Sequence, residues 1–184
     1  MLPLKRASAG LLALLGLHSV QADELAPGSP APKFALLDQA SMSHALAAYR
    51  GQWVVLYFYP KDDTPGCTTE ACNFRDDLPA LRALKVQILG ISVDDTRSHA
   101  QFAQKYQLPF PLLADTDGDV ARRYGALWSI GPLRIAKRYT FVIDPDGRIA
   151  KIYRNVKPAA HSRELQQDLK ELQKSTPVKD KPAS

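Results

Sequence analysis

Hydrophobic residues along this chain fall into short continuous runs and into longer segments with helical spacing. Two of the runs, at residues 53–59 and 86–93, are apolar almost throughout. Runs of this length and composition are typical of strands that are covered on both faces. The same pattern predicts three further strands, at residues 34–38, 139–144 and 149–153. We expect these five strands to form one central sheet.

Segments with helical spacing lie between the predicted strands, at residues 68 to about 84, 95–106, 119–124 and 161 to about 174. In the last segment a single apolar stripe faces the core, formed by Leu165, Leu169 and Leu172. Pro79 interrupts the first segment, because proline cannot donate a backbone hydrogen bond inside a helix. We therefore expect the first helix to kink or end near Asp77.

The order of these elements predicts the fold class. Strands alternate with helices through the first half of the chain, which favours right-handed parallel crossovers. The last two strands are joined by the turn sequence Asp144-Pro145-Asp146-Gly147, which favours an antiparallel hairpin. The expected fold class is α/β, with a central mixed β-sheet flanked by α-helices.

The N-terminus has the features of a secretory signal. Lys5 and Arg6 precede a mostly small or apolar stretch that is too short for a comfortable membrane span, and Ala22 follows as a small residue at a cleavage position. Cleavage after Ala22 would place the protein in the periplasm, and retention of the segment as a membrane anchor is the alternative. We expect a signal peptide at residues 1–22, and no stable membrane association after cleavage.

The remaining chain divides into a leader loop, one domain and a tail. Residues 23–32 are rich in proline, glycine, serine and alanine and are expected to form an extended leader loop. Residues 33–174 are expected to form one globular domain, since 45% of the 184 residues are hydrophobic. Residues 175–184 contain two prolines and no apolar periodicity, which predicts a disordered tail.

Charge excludes one class of function. The formal net charge of the chain is +5, and loss of Lys5 and Arg6 with the signal segment would reduce it by two, to +3. The remaining basic residues are interleaved with acidic ones and form no compact cluster with aromatic residues. Nucleic-acid binding is therefore not expected.

The two cysteines of the chain, Cys67 and Cys72, indicate where its chemistry takes place. They lie five positions apart, just after the apolar strand at residues 53–59, and Pro65 and Gly66 precede the first of them. A cysteine at the start of a helix lies close to unpaired amide groups and to the positive end of the helix dipole, which favour a thiolate. Because the thiolate is the reactive form, this position suggests a nucleophile.

The spacing of these cysteines also bears on disulfide formation. On one regular helix, five residues rise about 7.5 Å and turn about 140°, which puts the two Cα atoms roughly 8 to 9 Å apart. A disulfide needs a Cα separation below about 7 Å. The pair can bond only if a helical turn unwinds, so the bond would act more naturally as a switch than as a structural link.

The residues around Cys67 form a recognisable signature. Pro60, Thr64, Cys67 and Thr68, followed by Cys72, resemble the active-site motif of the peroxiredoxins, and specifically of the peroxiredoxin Q branch, also called bacterioferritin comigratory protein. The similarity runs from about residue 31 to about residue 172. It includes three further stretches, at residues 89–94, 111–115 and 138–144.

The resemblance implies a thioredoxin-like fold and a thiol peroxidase that reduces hydrogen peroxide and organic hydroperoxides. Cys67 would be the peroxidatic residue and would form a sulfenic acid. Cys72 would resolve the sulfenic acid as an intramolecular disulfide. A thioredoxin-like dithiol partner would reopen that bond by thiol–disulfide exchange. The resemblance implies no metal or organic cofactor, and a monomer.

Three further residues receive roles through the same resemblance. Thr64 would hydrogen-bond the peroxide or the sulfur, and Pro60 would restrict the loop and shield the thiolate from water. Arg138, which precedes the apolar run of a late strand, would face Cys67, stabilise its thiolate and polarise the peroxide. Arg134 and Lys137 lie close enough in sequence to be alternatives, and strand alternation favours Arg138.

Two other functions remain open on the residues alone. One is an exported protein that exchanges disulfides with other proteins, although such a dithiol usually has a C-x-x-C spacing. The other is a non-enzymatic redox sensor with a regulatory or structural disulfide. Peroxide consumption by a Cys72→Ser variant discriminates between a peroxidase and a sensor.

The other polar residues are given structural interpretations. Asp62 and Asp63 are interpreted as solvated loop charges. The histidines lie in separate segments, which argues against a zinc site, and each is interpreted as a surface or capping residue. The apolar segment at residues 127–135 is punctuated by glycine and proline, and it is either a packed loop, a hydrophobic rim above the site or a contact for a partner.

Overall fold

The computed structural model describes residues 25–175, which form nine strands and five α-helices. The strands are β1 (Ala35–Leu37), β2 (Ser43–Ala45), β3 (Trp53–Phe58), β4 (Val86–Ser92), β5 (Leu112–Ala114), β6 (Leu127–Ile130), β7 (Leu133–Ala136), β8 (Thr140–Ile143) and β9 (Ile149–Tyr153). The helices are α1 (Pro65–Asp76), α2 (Leu78–Ala83), α3 (Thr96–Tyr106), α4 (Asp119–Arg123) and α5 (His161–Ser175).

Five strands form a central mixed sheet in the order β5-β4-β3-β8-β9. β3 pairs in parallel with β4, and β4 pairs in parallel with β5. β8 runs antiparallel to both β3 and β9, and the turn at residues 144–147 joins β8 to β9. The mixed sheet flanked by helices is therefore confirmed. Its central strand β3 is buried on both faces along its whole length, as the continuous apolar run predicts.

The two faces of β3 belong to two hydrophobic cores. Trp53, Val55 and Tyr57 face one core, which is covered by α1, α2, α3 and α5. Val54 and Leu56 face the other core, which is closed by α4, Phe34 and the base of the β6–β7 hairpin. α1 is thus packed against the sheet with its first turn at the carboxyl end of β3. This end of the sheet is where the cysteines lie.

Several elements differ from the sequence-based expectation. β1 lies outside the central sheet and pairs with β2 in a separate two-stranded sheet. β5, which is only three residues long, takes the edge position of the central sheet instead. Residues 127–135 are not a loop, because they fold into the β6–β7 hairpin around Gly131, which has a positive φ of 55°. A glycine there adopts this angle without a steric penalty.

The first helix ends where Pro79 predicts it. α1 stops at Asp76, Asp77 separates it from α2, and Pro79 occupies the first turn of α2, where a missing N–H costs little. α1 begins three residues earlier than predicted, at Pro65, for the same reason. Cys67 therefore lies inside the first helical turn.

The predicted signal peptide and most of the predicted tail lie outside the described residues. Of the leader, residues 28–31 form backbone hydrogen bonds with residues 147–149 at the start of β9. Within residues 25–175, no helix is long and apolar enough to cross a membrane.

Candidate active site

Cys67 is almost fully buried, with 1% of its surface exposed, in the first turn of α1. Thr64 is the N-cap of this helix and has an extended backbone, so the chain turns sharply from the β3 loop into the helix. The first backbone N–H groups of a helix have no partner inside it, and they carry partial positive charge. The sulfur is therefore held out of bulk water, near the positive end of the helix dipole.

Arg138 is the cation next to this sulfur. Its Nη2 atom donates to Cys67 Sγ over 3.2 Å, although the two residues are 71 positions apart in the chain. The antiparallel pairing of β8 with β3 brings them together, because Arg138 lies just before β8. Of the two alternatives, Arg134 is exposed in the β6–β7 hairpin, and Lys137 Nζ donates to the carbonyl of Gly125 over 3.4 Å.

Glu70 is the third residue of this site, beside Cys67 and Arg138, and the sequence did not reveal it. It lies one turn after Cys67 on α1 with 1% of its surface exposed, and its Oε2 atom forms an ion pair with Nη1 of Arg138. One guanidinium thus bridges a carboxylate and a sulfur, using the two prongs of its fork. The i, i+3 spacing from Cys67 was a usable signal, since it places both side chains on one helix face.

Burial dominates the titration of this carboxyl group. It raises the pKa of Glu70 to about 7, against the charge and hydrogen bond of Arg138, which lower it. The Oε1 atom of Glu70 is buried and has no hydrogen-bond partner among residues 25–175. Glu70 therefore changes its charge near neutral pH, directly beside the arginine that contacts Cys67.

This titration predicts a pH-dependent stability. A carboxyl group with a raised pKa binds its proton more tightly in the folded state than in the unfolded state. The stability that protonated Glu70 provides is therefore lost as the pH rises from 4.5, the ordinary pKa of this group, to about 7. We expect this loss to be on the order of 2 kcal/mol in the reduced wild type, and to be absent in Glu70→Gln. Urea unfolding at several pH values between about 5 and 8 measures it. Equal pH slopes in the two proteins would contradict the assignment.

Thr64 and Pro60 lie in the segment that joins β3 to α1. Thr64 Oγ1 donates to the carbonyl of Lys61 over 3.0 Å, which fixes the hydroxyl and leaves its lone pairs free to accept. Pro60 lies two residues after the end of β3 and is half-buried. Both residues line a cavity of about 410 Å³, together with Leu133, Arg134 and Ile135 of the hairpin. Thr64 and Pro60 are thus placed beside a cavity that both apolar and charged side chains line.

Cys72 lies on the same helix and is half-buried. α1 is continuous from Pro65 to Asp76, and both cysteines are free. The end of α1 is tied to the segment before α5, since Asn73 Nδ2 donates to the carbonyl of Pro158 over 3.1 Å. A Cys67–Cys72 disulfide therefore requires part of α1 to unwind, whether or not the contact between Asn73 and Pro158 is kept.

Three interpretations of polar residues were wrong. Asp62 is buried rather than solvated, because donors from α3, which lies more than 30 residues away in sequence, surround its carboxylate. His99 and His161 are fully buried, the first against Asp62 and the second against Thr140 Oγ1. Among residues 25–175, no group of three or more His, Cys, Asp or Glu side chains is arranged to hold a metal ion.

The chain matches known proteins over most of its length. The model of the AhpC/TSA family matches residues 27–152. The chain is 43% identical over 144 residues to a protein named putative peroxiredoxin bcp from Coxiella burnetii, and this alignment covers 75% of this chain and 94% of the relative.

Solved structures show the same similarity. Peroxidoxin BcpB from Mycobacterium tuberculosis superposes with a TM-score of 0.76 at 33% identity, over 80% of this chain and 97% of that one. A structure described as giving insights into the alkyl peroxide reduction activity of Xanthomonas campestris bacterioferritin comigratory protein has a TM-score of 0.71 at 34% identity, over 75% of this chain and 90% of that one. These neighbours confirm the thioredoxin-like fold. The chain therefore belongs to the AhpC/TSA family, among the peroxiredoxins of the Bcp or peroxiredoxin Q type, and is a thiol peroxidase.

Proposed function

We propose that this protein reduces hydrogen peroxide and organic hydroperoxides with Cys67 as the peroxidatic residue and Cys72 as the resolving residue. The observation that carries the proposal is the 3.2 Å contact between Arg138 Nη2 and Cys67 Sγ, in the buried first turn of α1. A fixed positive charge and a helix N-terminus act together on one sulfur. This is the environment that a nucleophilic thiolate requires.

In the first step the Cys67 thiolate attacks the nearer peroxide oxygen and the O–O bond breaks. The sulfur becomes a sulfenic acid, and the other oxygen leaves as water or an alcohol after taking up a proton. Arg138 is placed to stabilise the negative charge as it moves from sulfur to the leaving oxygen. Thr64 Oγ1, with its hydrogen directed at the carbonyl of Lys61, can accept a hydrogen bond from the peroxide.

In the second step the Cys72 thiol attacks the Cys67 sulfenic acid. A disulfide forms and one water leaves, so the peroxide has oxidised two thiols in total. Because both cysteines lie on continuous α1, at least one turn of this helix must unwind first. We propose that a thioredoxin-like dithiol then reduces the disulfide by exchange, which restores both thiols and lets α1 re-form.

The cavity beside Pro60 and Thr64 supports the inclusion of organic hydroperoxides. Trp128, Ile130, Leu133 and Ile135 share one face of the β6–β7 hairpin, since opposite residues of an antiparallel pair point to the same side. Leu133 and Ile135 line the cavity, and Leu133 remains 52% exposed. The segment at residues 127–135 is therefore better interpreted as a rim of the site than as a packed loop.

We expect a Leu133→Ser substitution to change the preference between peroxides. The ratio of kcat/KM for cumene hydroperoxide to that for hydrogen peroxide should fall about fivefold, because an apolar substrate loses contact area of this size. Ile130→Ser is the matched control, since Ile130 is 64% exposed on the same hairpin face but does not line the cavity. An equal change in both variants, or none in Leu133→Ser, would show that the cavity does not bind the organic group.

A Cys72→Ser variant tests the two-cysteine scheme. It should consume one equivalent of peroxide per chain as fast as the wild type, and it should then stop with a sulfenic acid on Cys67 that a dimedone probe captures. Slow consumption at the rate of an ordinary thiol would instead support a redox sensor. Efficient oxidation of substrate dithiols without any peroxide would support a disulfide-exchange protein.

We also propose that the protein acts in the periplasm, as a monomer. The charged and apolar pattern of residues 1–22 supports export. In an oxidising compartment the Cys67–Cys72 disulfide would accumulate unless a dedicated reductant were present. A fusion of residues 1–22 to a reporter that is active only after export tests the localisation, and sedimentation of the reduced protein tests the oligomeric state.

A further inference from the structure

Asp62 lies two residues before Thr64, in the loop that joins β3 to α1, and its carboxylate is buried. Its Oδ1 atom accepts from Tyr59 Oη over 2.7 Å. Its Oδ2 atom accepts from Ser98 Oγ over 2.7 Å and from His99 Nδ1 over 2.8 Å. We call these four residues the carboxylate clamp. Two of them, Tyr59 and Asp62, belong to the loop between β3 and α1, and the other two belong to α3.

The backbone of the same loop is fixed as well. The N–H of Asp62 donates to Asp94 Oδ2 over 2.9 Å, and Asp94 Oδ2 also accepts from Ser92 Oγ at the end of β4. Asp63, which follows, has a positive φ of 54° and pairs with Lys105 on α3. A non-glycine residue in this backbone region is strained and needs support from its surroundings. Asp62 and Asp63 are thus bonded to α3 or to the segment that follows β4, and Lys61 directly precedes Asp62.

A buried carboxylate is not needed to fill this space. An apolar side chain of similar size would avoid the cost of removing a charged group from water, so a buried polar network of this kind adds little net stability. The network does fix the position of the Asp62 carboxylate, because each of its three side-chain donors approaches from a defined direction. The useful consequence is a single position for the loop that carries Pro60 and Thr64.

We propose that the carboxylate clamp, through Asp62 and His99, keeps Pro60 and Thr64 in one position throughout the cycle, so that both are in place for the attack on peroxide each time α1 has unwound and re-formed. The proposal rests on the proposed function, since it assigns a task within that cycle. α1 starts at Pro65, so the clamp lies outside the helix that has to unwind. Asp62 and His99 are positioning residues, because they act through Thr64 and Pro60 and do not contact the sulfur.

The test separates the peroxide step from folding and from disulfide formation. His99→Leu removes the donor to Asp62, whereas His99→Asn loses the same ring but keeps an N–H in the position of Nδ1. The rate of reaction with hydrogen peroxide is measured by stopped flow in each variant on a Cys72→Ser background, well below the melting temperature. The rate of disulfide formation is measured in the same variants with Cys72 present.

We expect His99→Leu to slow the peroxide step by about thirtyfold, since a displacement of about 1 Å at the reacting groups has an effect of this size. His99→Asn should stay within about twofold of the wild type, and disulfide formation should change by less than about twofold in both. Ser98→Ala removes one part-buried donor and should slow the peroxide step by about threefold. This milder variant decides the question if His99→Leu does not fold.

Two results would overturn the proposal alone. One is a wild-type peroxide rate in His99→Leu, or in Ser98→Ala if only that variant folds, together with a lower melting temperature, which would reduce the clamp to a structural element. The other is an equally slow peroxide step in His99→Asn and His99→Leu, which would show that the donor to Asp62 is not what matters. A wild-type protein that reacts no faster than a free thiol would overturn the proposed function itself, and the clamp proposal with it.

Discussion

A Cys67→Ser variant is expected to lose all rapid reaction with peroxide. The serine hydroxyl carries no negative charge at neutral pH and cannot form a sulfenic acid, so the buried position beside Arg138 would hold no nucleophile. Cys72 would remain as a half-buried thiol without the arginine contact, and should react with peroxide only at the rate of an ordinary thiol. Thiol titration after addition of one equivalent of hydrogen peroxide measures this loss.

The matched comparison for Cys67→Ser is Cys72→Ser, which removes the other sulfur from the same helix. We expect opposite behaviour of the two variants, since only Cys67 lies in the first turn of α1 next to Arg138. Fast peroxide consumption by Cys67→Ser would contradict the assignment and would make Cys72 the attacking residue. Equal slow rates in both variants would mean that the sulfurs act only as a pair.

An Arg138→Met variant is expected to slow the peroxide step by about a hundredfold to a thousandfold, the usual effect of removing a charged donor from the developing negative charge. The cause is the loss of the contact with Cys67 Sγ. Glu70 also loses the charge that lowers its pKa, so its carboxyl group should stay protonated to higher pH. Arg138→Lys should fall between wild type and Arg138→Met, because an ammonium group cannot bridge Glu70 and Cys67 with a planar fork.

Lys137→Met is the control for the arginine. It removes a neighbouring positive charge of the same segment, whose Nζ atom contacts the carbonyl of Gly125 rather than the sulfur. The second-order rate constant with hydrogen peroxide, measured under single-turnover conditions, compares the variants. If Arg138→Met reacts within about threefold of the wild type, the electrostatic part of the account fails.

The charge state of Glu70 makes the effect of Arg138 on Cys67 depend on pH. The same guanidinium is shared between its carboxylate and the sulfur, so a proton on Glu70 leaves more of the positive charge for Cys67. With a pKa of about 7, Glu70 is about half protonated near neutral pH. The stability profile of Glu70→Gln described above is the direct test of this titration, because it does not depend on catalysis.

Much of the fold was predictable because it depends on local patterns. The buried strand β3, the parallel crossover to β4 and the hairpin of β8 and β9 follow from apolar runs and one turn sequence. The end of α1 follows from Pro79. β5 and the β6–β7 hairpin were missed because their strands have only three or four residues, although a two-residue loop that contains Gly131 was a hairpin signal.

The candidate site was only partly predictable, for a related reason. Cys67, Thr64 and Pro60 lie within eight residues of one another, so their motif is visible in the sequence. Glu70 and Asp62 gain their roles from residues that the fold brings in from far along the chain. The partners are Arg138, 68 positions from Glu70, and His99, 37 positions from Asp62. A charged residue in a loop or on a helix has no local mark that distinguishes burial from exposure.

In the proposed cycle Cys67, activated by Arg138, reduces peroxide and passes the oxidation to Cys72. Stopped-flow titration of the fully reduced wild-type protein with hydrogen peroxide, followed by tryptophan fluorescence and by free thiols, tests it most directly. We expect loss of two thiols per peroxide, at a rate at least about a thousandfold above that of a free thiol. A reaction no faster than that of a free thiol, or a loss of thiols without consumption of peroxide, would contradict it.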